Sequence, residues 1–294
     1  ENLYDDTGGQ YWQHKKYWLE EEGTECAWYG VLCDPLNRTV LSLNLGANGL
    51  RGSLPFLRDL SNLEEIRFPY GGIAGKLDGI AENYALRHID LKYNPNLRDT
   101  LLDIRWGRMT TLTVLNLAGT RMDTATLSEE FCTMPALERL DMSESGYAKT
   151  IPDSIGNLVK LTGLRMTQNN IVGTLPVSFA NLTALRVLDL SYNVNLGGTF
   201  NFDLMETPNL ETVGLGDTNV ESDTVLEWLA RCPKLSDVRI SSERSFSGTL
   251  PTELGTLSNL VTFDITACRF TGTIPLELGR LTGLETLEMG GNLF

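Results

Sequence analysis

Apolar residues recur along this chain in a fixed spacing. It is clearest at Leu161–Pro176, LTGLRMTQNNIVGTLP, where Leu161, Leu164, Met166, Ile171 and Leu175 are the apolar positions and Asn169 sits among them. The spacing returns at Leu185 (LRVLDLSYN) and at Leu260 (LVTFDITACRFTGTIP). The first apolar residue of each unit falls at Val40, Leu63, Leu86, Leu112, Leu137, Leu161, Leu185, Leu210, Leu235, Leu260 and Leu284, in steps of 23 to 26 residues. A period of this length predicts a solenoid, in which each unit buries its apolar face against its neighbours.

Each unit predicts one short parallel strand. In Leu112–Leu117, strand alternation sends Leu112, Leu115 and Leu117 inward and Thr113, Val114 and Asn116 outward onto a concave face. At about 1.5–3 kcal/mol per buried leucine-sized side chain, several per unit outweigh ordering entropy once neighbours stack. An asparagine ladder follows at Asn48, Asn94, Asn169, Asn193 and Asn292. A buried Asn amide donates and accepts, so it can serve backbone groups of adjacent turns. Thr120, Ser145, Thr218 and Cys268 can replace it; Gly71 and Glu243 are poorer substitutes and predict irregular turns. A Leu/Ile-Pro element closes some units, at Leu54-Pro55, Ile151-Pro152, Leu175-Pro176, Leu250-Pro251 and Ile274-Pro275. Units two, three, four, seven and eight depart from it, and Thr124–Met134 and Ser222–Cys232 read as helical turns. Units three, seven and nine carry an extra residue (NPNL, NVNL, ERSF) that should widen the turn at one edge.

Residues 1–39 lack the period and read as a cap. Gln10–Glu22 predicts a short helix with Tyr11, Trp18 and Leu19 near one face. Cys26-Ala-Trp28-Tyr-Gly30-Val31-Leu-Cys33 follows, and its cysteine spacing suits a small disulfide loop. A metal site would usually need four ligands, and no second Cys or His pair lies nearby. Aromatic bulk here should cover the leucines of the first unit.

The C-x-W-x-G-V-x-C block, followed by Val40–Leu45 and Leu50-Arg-Gly52-Ser-Leu54-Pro55, resembles the cap and first repeat of plant-type leucine-rich repeat proteins, among them receptor-kinase ectodomains. Leu3-Tyr4, Thr7-Gly8-Gly9, Trp12 and Trp18-Leu19 resemble the cap of algal repeat proteins. The resemblance implies an α/β leucine-rich repeat solenoid, right-handed, with a parallel concave sheet and a convex side of mixed texture, second short strands at the Leu/Ile-Pro units and helical turns elsewhere. Residues 40–294 would hold about eleven repeats. The last of them reads as incomplete, as in a fragment of a longer chain.

Composition narrows the function. The 294 residues are 41% hydrophobic with a net charge of −14. That balance argues against nucleic-acid binding, which needs clustered Lys and Arg. No run of about 18 apolar residues predicts a membrane span, although an anchor could lie in flanking sequence. Hydrolase, zinc-protease and calcium-loop signatures are absent, and Gly71–Leu77 fails the spacing of a phosphate loop. Two histidines, His14 and His88, give little material for nucleophilic catalysis. No enzyme activity, metal site or cofactor is expected. Cys132, Cys232 and Cys268 read as buried thiols.

The outward strand face is the candidate site. One column reads Asn44, Arg67, Asp90, Asn116, Asp141, Arg165, Asp189, Gly214, Arg239, Asp264, Glu288, with charge alternating as adjacent rungs require. Arg67 and Tyr70 should lie beside His88, Asp90 and Tyr93, with Tyr70 and Tyr93 adjacent; exposed Tyr and Arg is a hot-spot composition. Arg139, Asp141 and Arg165 extend the patch, and Gly214 with Gly216 should leave a bare stretch. Asn37-Arg-Thr39 and Asn181-Leu-Thr183 are glycosylation sequons in a secreted chain. The expectation is a secreted or cell-surface recognition module binding a protein, peptide or glycan; the alternative is a structural scaffold subunit.

Overall fold

A computed structural model describes residues 2–20, 23–102, 104–202, 205–241 and 246–294. The backbone divides into two compact units, Glu1–Tyr147 and Ala148–Phe294.

The first unit begins with helix α1 (Asn2–Asp6) and contains β1 (Val31–Cys33), β2 (Val40–Asn44), β3 (Arg51–Ser53), β4 (Glu65–Arg67), β5 (Gly72–Gly75), β6 (His88–Asp90), β7 (Asn96–Leu97), β8 (Val114–Asn116) and β9 (Arg139–Asp141). The cap strand β1 runs antiparallel to β2. From β2 the main sheet continues in parallel through β4, β6, β8 and β9. The central residues Leu43, Ile66, Ile89, Leu115 and Leu140 stand in register and are all buried. The periodic apolar residue therefore builds one continuous spine, each rung covering the next. Leu112 and Leu117 point inward as expected, and Val114 is also largely buried.

The second unit holds β10 (Gly163–Arg165), β11 (Val187–Asp189), β12 (Gly197–Thr199), β13 (Thr212–Gly214), β14 (Asn219–Glu221), β15 (Asp237–Arg239), β16 (Ser247–Thr249), β17 (Thr262–Asp264), β18 (Arg269–Thr271) and β19 (Thr286–Glu288), with helix α2 (Val225–Ala230). Its main sheet runs β10, β11, β13, β15, β17, β19, all parallel. The helical turn expected over Ser222–Cys232 is α2, with Trp228 and Leu229 fully buried. Over Thr124–Met134 the helical part is one 3-10 turn, Phe131–Thr133.

The asparagine ladder forms. Asn193 Oδ1 accepts from the Ile171 N–H at 3.1 Å, and Nδ2 donates to the carbonyls of Met166 and Leu190. Asn94 does the same for Ile73 and Phe68. Gly71 does not make its rung irregular. A Cβ there would lie 2.7 Å from Asn94 Oδ1, so the missing side chain leaves room for the next rung's amide. The extra residues of NPNL and NVNL close into turns, Leu97 N–H to Asn94 O and Leu196 N–H to Asn193 O. Glu243 and most of the third insertion, ERSF, lie outside the described residues.

Two expectations fail. The short helix over Gln10–Glu22 is absent across its described part: Gly9–Tyr11 is a single 3-10 turn, and residues 21–22 lie outside the described residues. Tyr17 and Leu19 have φ of +67° and +63°, which no right-handed helix admits. The chain bends there so that Trp12 and Trp18 meet edge to face at 4.8 Å, while Tyr11 and Leu19 stay exposed. Second strands are also not confined to the Leu/Ile-Pro repeats. They form at β3–β5–β7, β12–β14 and β16–β18, which includes repeats two, three, seven and eight. Repeats five and six, with the motif, show only a bridge from Gly173 to Leu196. Pairing depends on backbone groups of adjacent rungs, and proline supplies no N–H for it.

Candidate functional site

In the cap, the three tryptophans Trp12, Trp18 and Trp28 form a chain of contacts, with Trp18–Trp28 centroids 4.8 Å apart. The indole N–H of Trp12 donates to Thr7 O and that of Trp18 to Tyr29 O. Cys26 and Cys33 are disulfide-bonded across the segment that carries Trp28 and Gly30. Asn48, the first ladder residue, ties this cap to the first repeat by accepting from His14 N–H and donating to His14 O.

Beyond each central apolar residue, the column of Asn and Asp builds turns. Asn44, Asp90, Asn116, Asp141, Asp189 and Asp264 each accept, through Oδ1, from the backbone N–H two residues on. One residue past that N–H the backbone is left-handed, at Ala47, Tyr93, Gly119, Glu144, Tyr192 and Ala267; the equivalent positions Tyr70, Gln168, Asp217 and Gly291 are left-handed too, on rungs whose column residue is Arg67, Arg165, Gly214 or Glu288. Six positions of the column expected to alternate charge are therefore Asx turns first, and Tyr93 and Tyr192 each follow one of them.

Tyr70 and Tyr93 stack at 4.9 Å with 16° between their planes, and both remain exposed. The inner face of Tyr93 rests on Gly119, where any Cβ would collide with the ring. Tyr93 Oη lies 3.5 Å from Glu144 Oε1, and that carboxylate above all raises the phenol's pKa. Lys92 Nζ sits 5.5 Å from the Tyr70 centroid.

A neighbouring cluster centres on Glu65, which sequence reasoning passed over. Glu65 pairs with Arg67 at 2.6 Å, accepts from Ser42 Oγ at 2.7 Å and lies 3.8 Å from His88 Nδ1. Burial first, and then the Arg67 guanidinium, lower the His88 pKa against the pull of Glu65 and Asp90. His88 is therefore neutral at pH 7. The signal for Glu65 was present in the register: Ser42, Glu65, His88, Val114 and Arg139 form a second outward column, before the central residue.

The other expected residues divide. Arg139 and Asp141 stand on β9 in the same unit, with Asp141 committed to its turn. Arg165 belongs to β10 of the second unit and is exposed there. Gly214 and Gly216 do not leave a bare stretch. Both are buried, since a Cβ at Gly214 would strike Asp189 Oδ1 and Gly216 packs beneath Ser241. Asn37 and Asn181 are both exposed, one at a turn with φ of +53° and one at the end of the 3-10 turn Val177–Asn181. Cys132, Cys232 and Cys268 are buried thiols. Among the described residues no cluster of His, Cys, Asp and Glu could hold a metal, and no helix is long and apolar enough to cross a membrane.

Comparison with known proteins fits this geometry. A family model described as Leucine Rich Repeat matches residues 259–281. Receptor-like protein 41 of Arabidopsis thaliana is 34% identical over 129 residues, which is 44% of this chain and 12% of that protein. The ectodomain of the Arabidopsis receptor kinase HAESA, solved with an N-terminally extended IDA peptide hormone, is 27% identical with a TM-score of 0.79 over 91% of this chain and 44% of that one. A plant ice-binding protein has a TM-score of 0.81 over 100% of this chain and 93% of its own at 20% identity, a likeness of fold alone. The chain thus spans under half of the HAESA ectodomain, and its match spans about an eighth of the receptor-like protein. Strand register, ladder, cap disulfide and these likenesses agree: the chain folds as a leucine-rich repeat solenoid and is similar to plant receptor-like proteins and receptor-kinase ectodomains.

Proposed function

We propose that this chain is an extracellular recognition module that binds a peptide on the outward face of the main sheet in its first unit. The observation that carries the reading is the exposed, pre-stacked Tyr70–Tyr93 pair beside the Arg67–Glu65–His88 cluster. Two rigid rings already held in place lose little conformational freedom on binding, and Tyr and Arg dominate binding hot spots. The cluster offers a carboxylate hydrogen-bonded to a guanidinium, with an imidazole 3.8 Å from the carboxylate, which suits backbone amides and mixed side chains. The HAESA ectodomain, solved with a peptide hormone, supports a peptide over a glycan. The cap disulfide and two exposed sequons support passage through an oxidising, glycosylating compartment.

The test is capture of peptides from conditioned medium on immobilised wild-type chain and on a Tyr70→Ala/Tyr93→Ala variant. A peptide held by the wild type should lose at least about 2 kcal/mol on the variant, roughly 30-fold in Kd. Equal retention on both would remove the site. Peptide mapping of the native protein, with and without deglycosylation, checks its location: sugar on Asn37 or Asn181 is the expected result.

A further inference from the structure

The first unit carries a second concavity, far from the strand face in character. It is a cleft of about 510 Å³ between the cap and the first repeats. That volume lies in the range of small-ligand sites. Trp18, Trp28, Leu57 and Leu60 give it apolar and aromatic walls. Glu20, Glu25 and Asp59 also line it, with no basic side chain among its described lining residues. Both indole N–H groups are already engaged, Trp18 with Tyr29 O and Trp28 with Thr24 Oγ1. The tryptophans therefore meet an occupant through their rings and not as donors, and the remaining side-chain charge is all acceptor. Such a cleft selects against anions. It favours a cation with an apolar body, held by ring contact and by carboxylates at short range. The disulfide between Cys26 and Cys33 fixes the wall that carries Glu25 and Trp28.

We infer that the cap cleft is a second binding site, which takes an arginine or lysine side chain flanked by apolar residues in a peptide. The site is independent of the strand-face reading, and either can fail without the other. The Glu and Asp carboxylates steer the basic residue in, and the apolar neighbours fill the volume between Trp28 and Leu60. The net charge of −14 adds to the attraction at low salt.

The probe is the peptide acetyl-Leu-Arg-Leu-amide, titrated into the whole chain and followed by tryptophan fluorescence and calorimetry. Trp106 and Trp228 are fully buried, so a fluorescence change reports on the cap. Saturable binding is expected, weakened at high salt as exposed carboxylates are screened. Acetyl-Leu-Glu-Leu-amide should bind at least about tenfold more weakly, since its charge meets three carboxylates. Asp59→Lys, a substitution at an exposed position, should weaken the basic peptide by a similar factor and leave the thermal midpoint near wild type. Tyr70→Ala should leave this affinity unchanged. The absence of saturation at millimolar peptide would overturn the inference, as would equal affinity for the acidic peptide or an Asp59→Lys chain that binds as well as the wild type.

Discussion

Gly30 shows how one residue can hold the cap in place. Its φ is +79°, its carbonyl accepts from the Asn44 N–H at 2.7 Å, and a Cβ would run into Asn44 O. The cap chain can approach β2 this closely only through a residue with no side chain. Gly30→Ala should cost about 2 kcal/mol or more, combining left-handed strain with the collision. Gly23→Ala is the control, because its φ is +88° but nothing lies within 4 Å of the added methyl. That change should cost only the strain, about 1 kcal/mol. Urea unfolding of both variants checks the difference.

His88 gives a second prediction at this scale. Glu65 and Asp90 pull its pKa up, Arg67 and Arg139 push it down, and burial is the largest cause. The folded pKa therefore lies below the ordinary 6.5. Well above 6.5 the imidazole is neutral in folded and unfolded chains alike. As pH falls from there through the folded value, the unfolded chain takes up the proton first, and stability is lost. Titration by NMR should place the His88 midpoint below 6.5, and His88→Gln should flatten the fall in thermal midpoint between pH 7 and pH 5.

At the scale of the element, the rungs built on Asn44, Asp90, Asn116, Asp141, Asp189 and Asp264 are each a strand, an Asx turn and a ladder residue acting as one unit. Asn193 serves one N–H and two carbonyls belonging to its own and the preceding repeat. Asn193→Ala leaves those groups buried without their partner. Each unsatisfied group costs about 1–3 kcal/mol, so a loss of several kcal/mol is expected in chemical unfolding. The ladder was legible because Asn169 and Asn193 recur at a fixed offset from the leucines. The stacking of Tyr70 and Tyr93 was legible for the same reason: equivalent positions on adjacent rungs must meet. The Asx turns were visible as residue types, yet their acidic members drew attention as charges. Glu65 was missed because the outward column before the central residue was never lined up. The second strands were not legible from Leu/Ile-Pro, since what pairs there is the backbone of two rungs and not a side chain. The helix expected over Gln10–Glu22 gave way because Trp12 and Trp18 gain more by meeting in the core than a short helix gains by propensity.

At the scale of the molecule, a repeat stack draws its stability from neighbours, so its ends are its weak points. Here the cap covers the leucines of the first rung, Leu43 and Leu45, with an aromatic chain that is closed covalently by Cys26–Cys33. The bridge spans a separation of seven residues. Loop entropy assigns a ring of that size about 2–3 kcal/mol. That energy acts on the cap, whose contacts are local, and not evenly on every rung. Reduction should therefore loosen the cap before the repeats melt. On heating the reduced chain, tryptophan emission should shift to the red at a lower temperature than the loss of far-UV circular dichroism from the strands. In the oxidised chain the two transitions should coincide more closely. Trp12 and Trp18 are buried in the intact cap, which makes them sensitive reporters of its opening. Coincident transitions after reduction would mean that the cap is held by its tryptophans and by Asn48 alone, with the disulfide adding nothing to the first rung's protection.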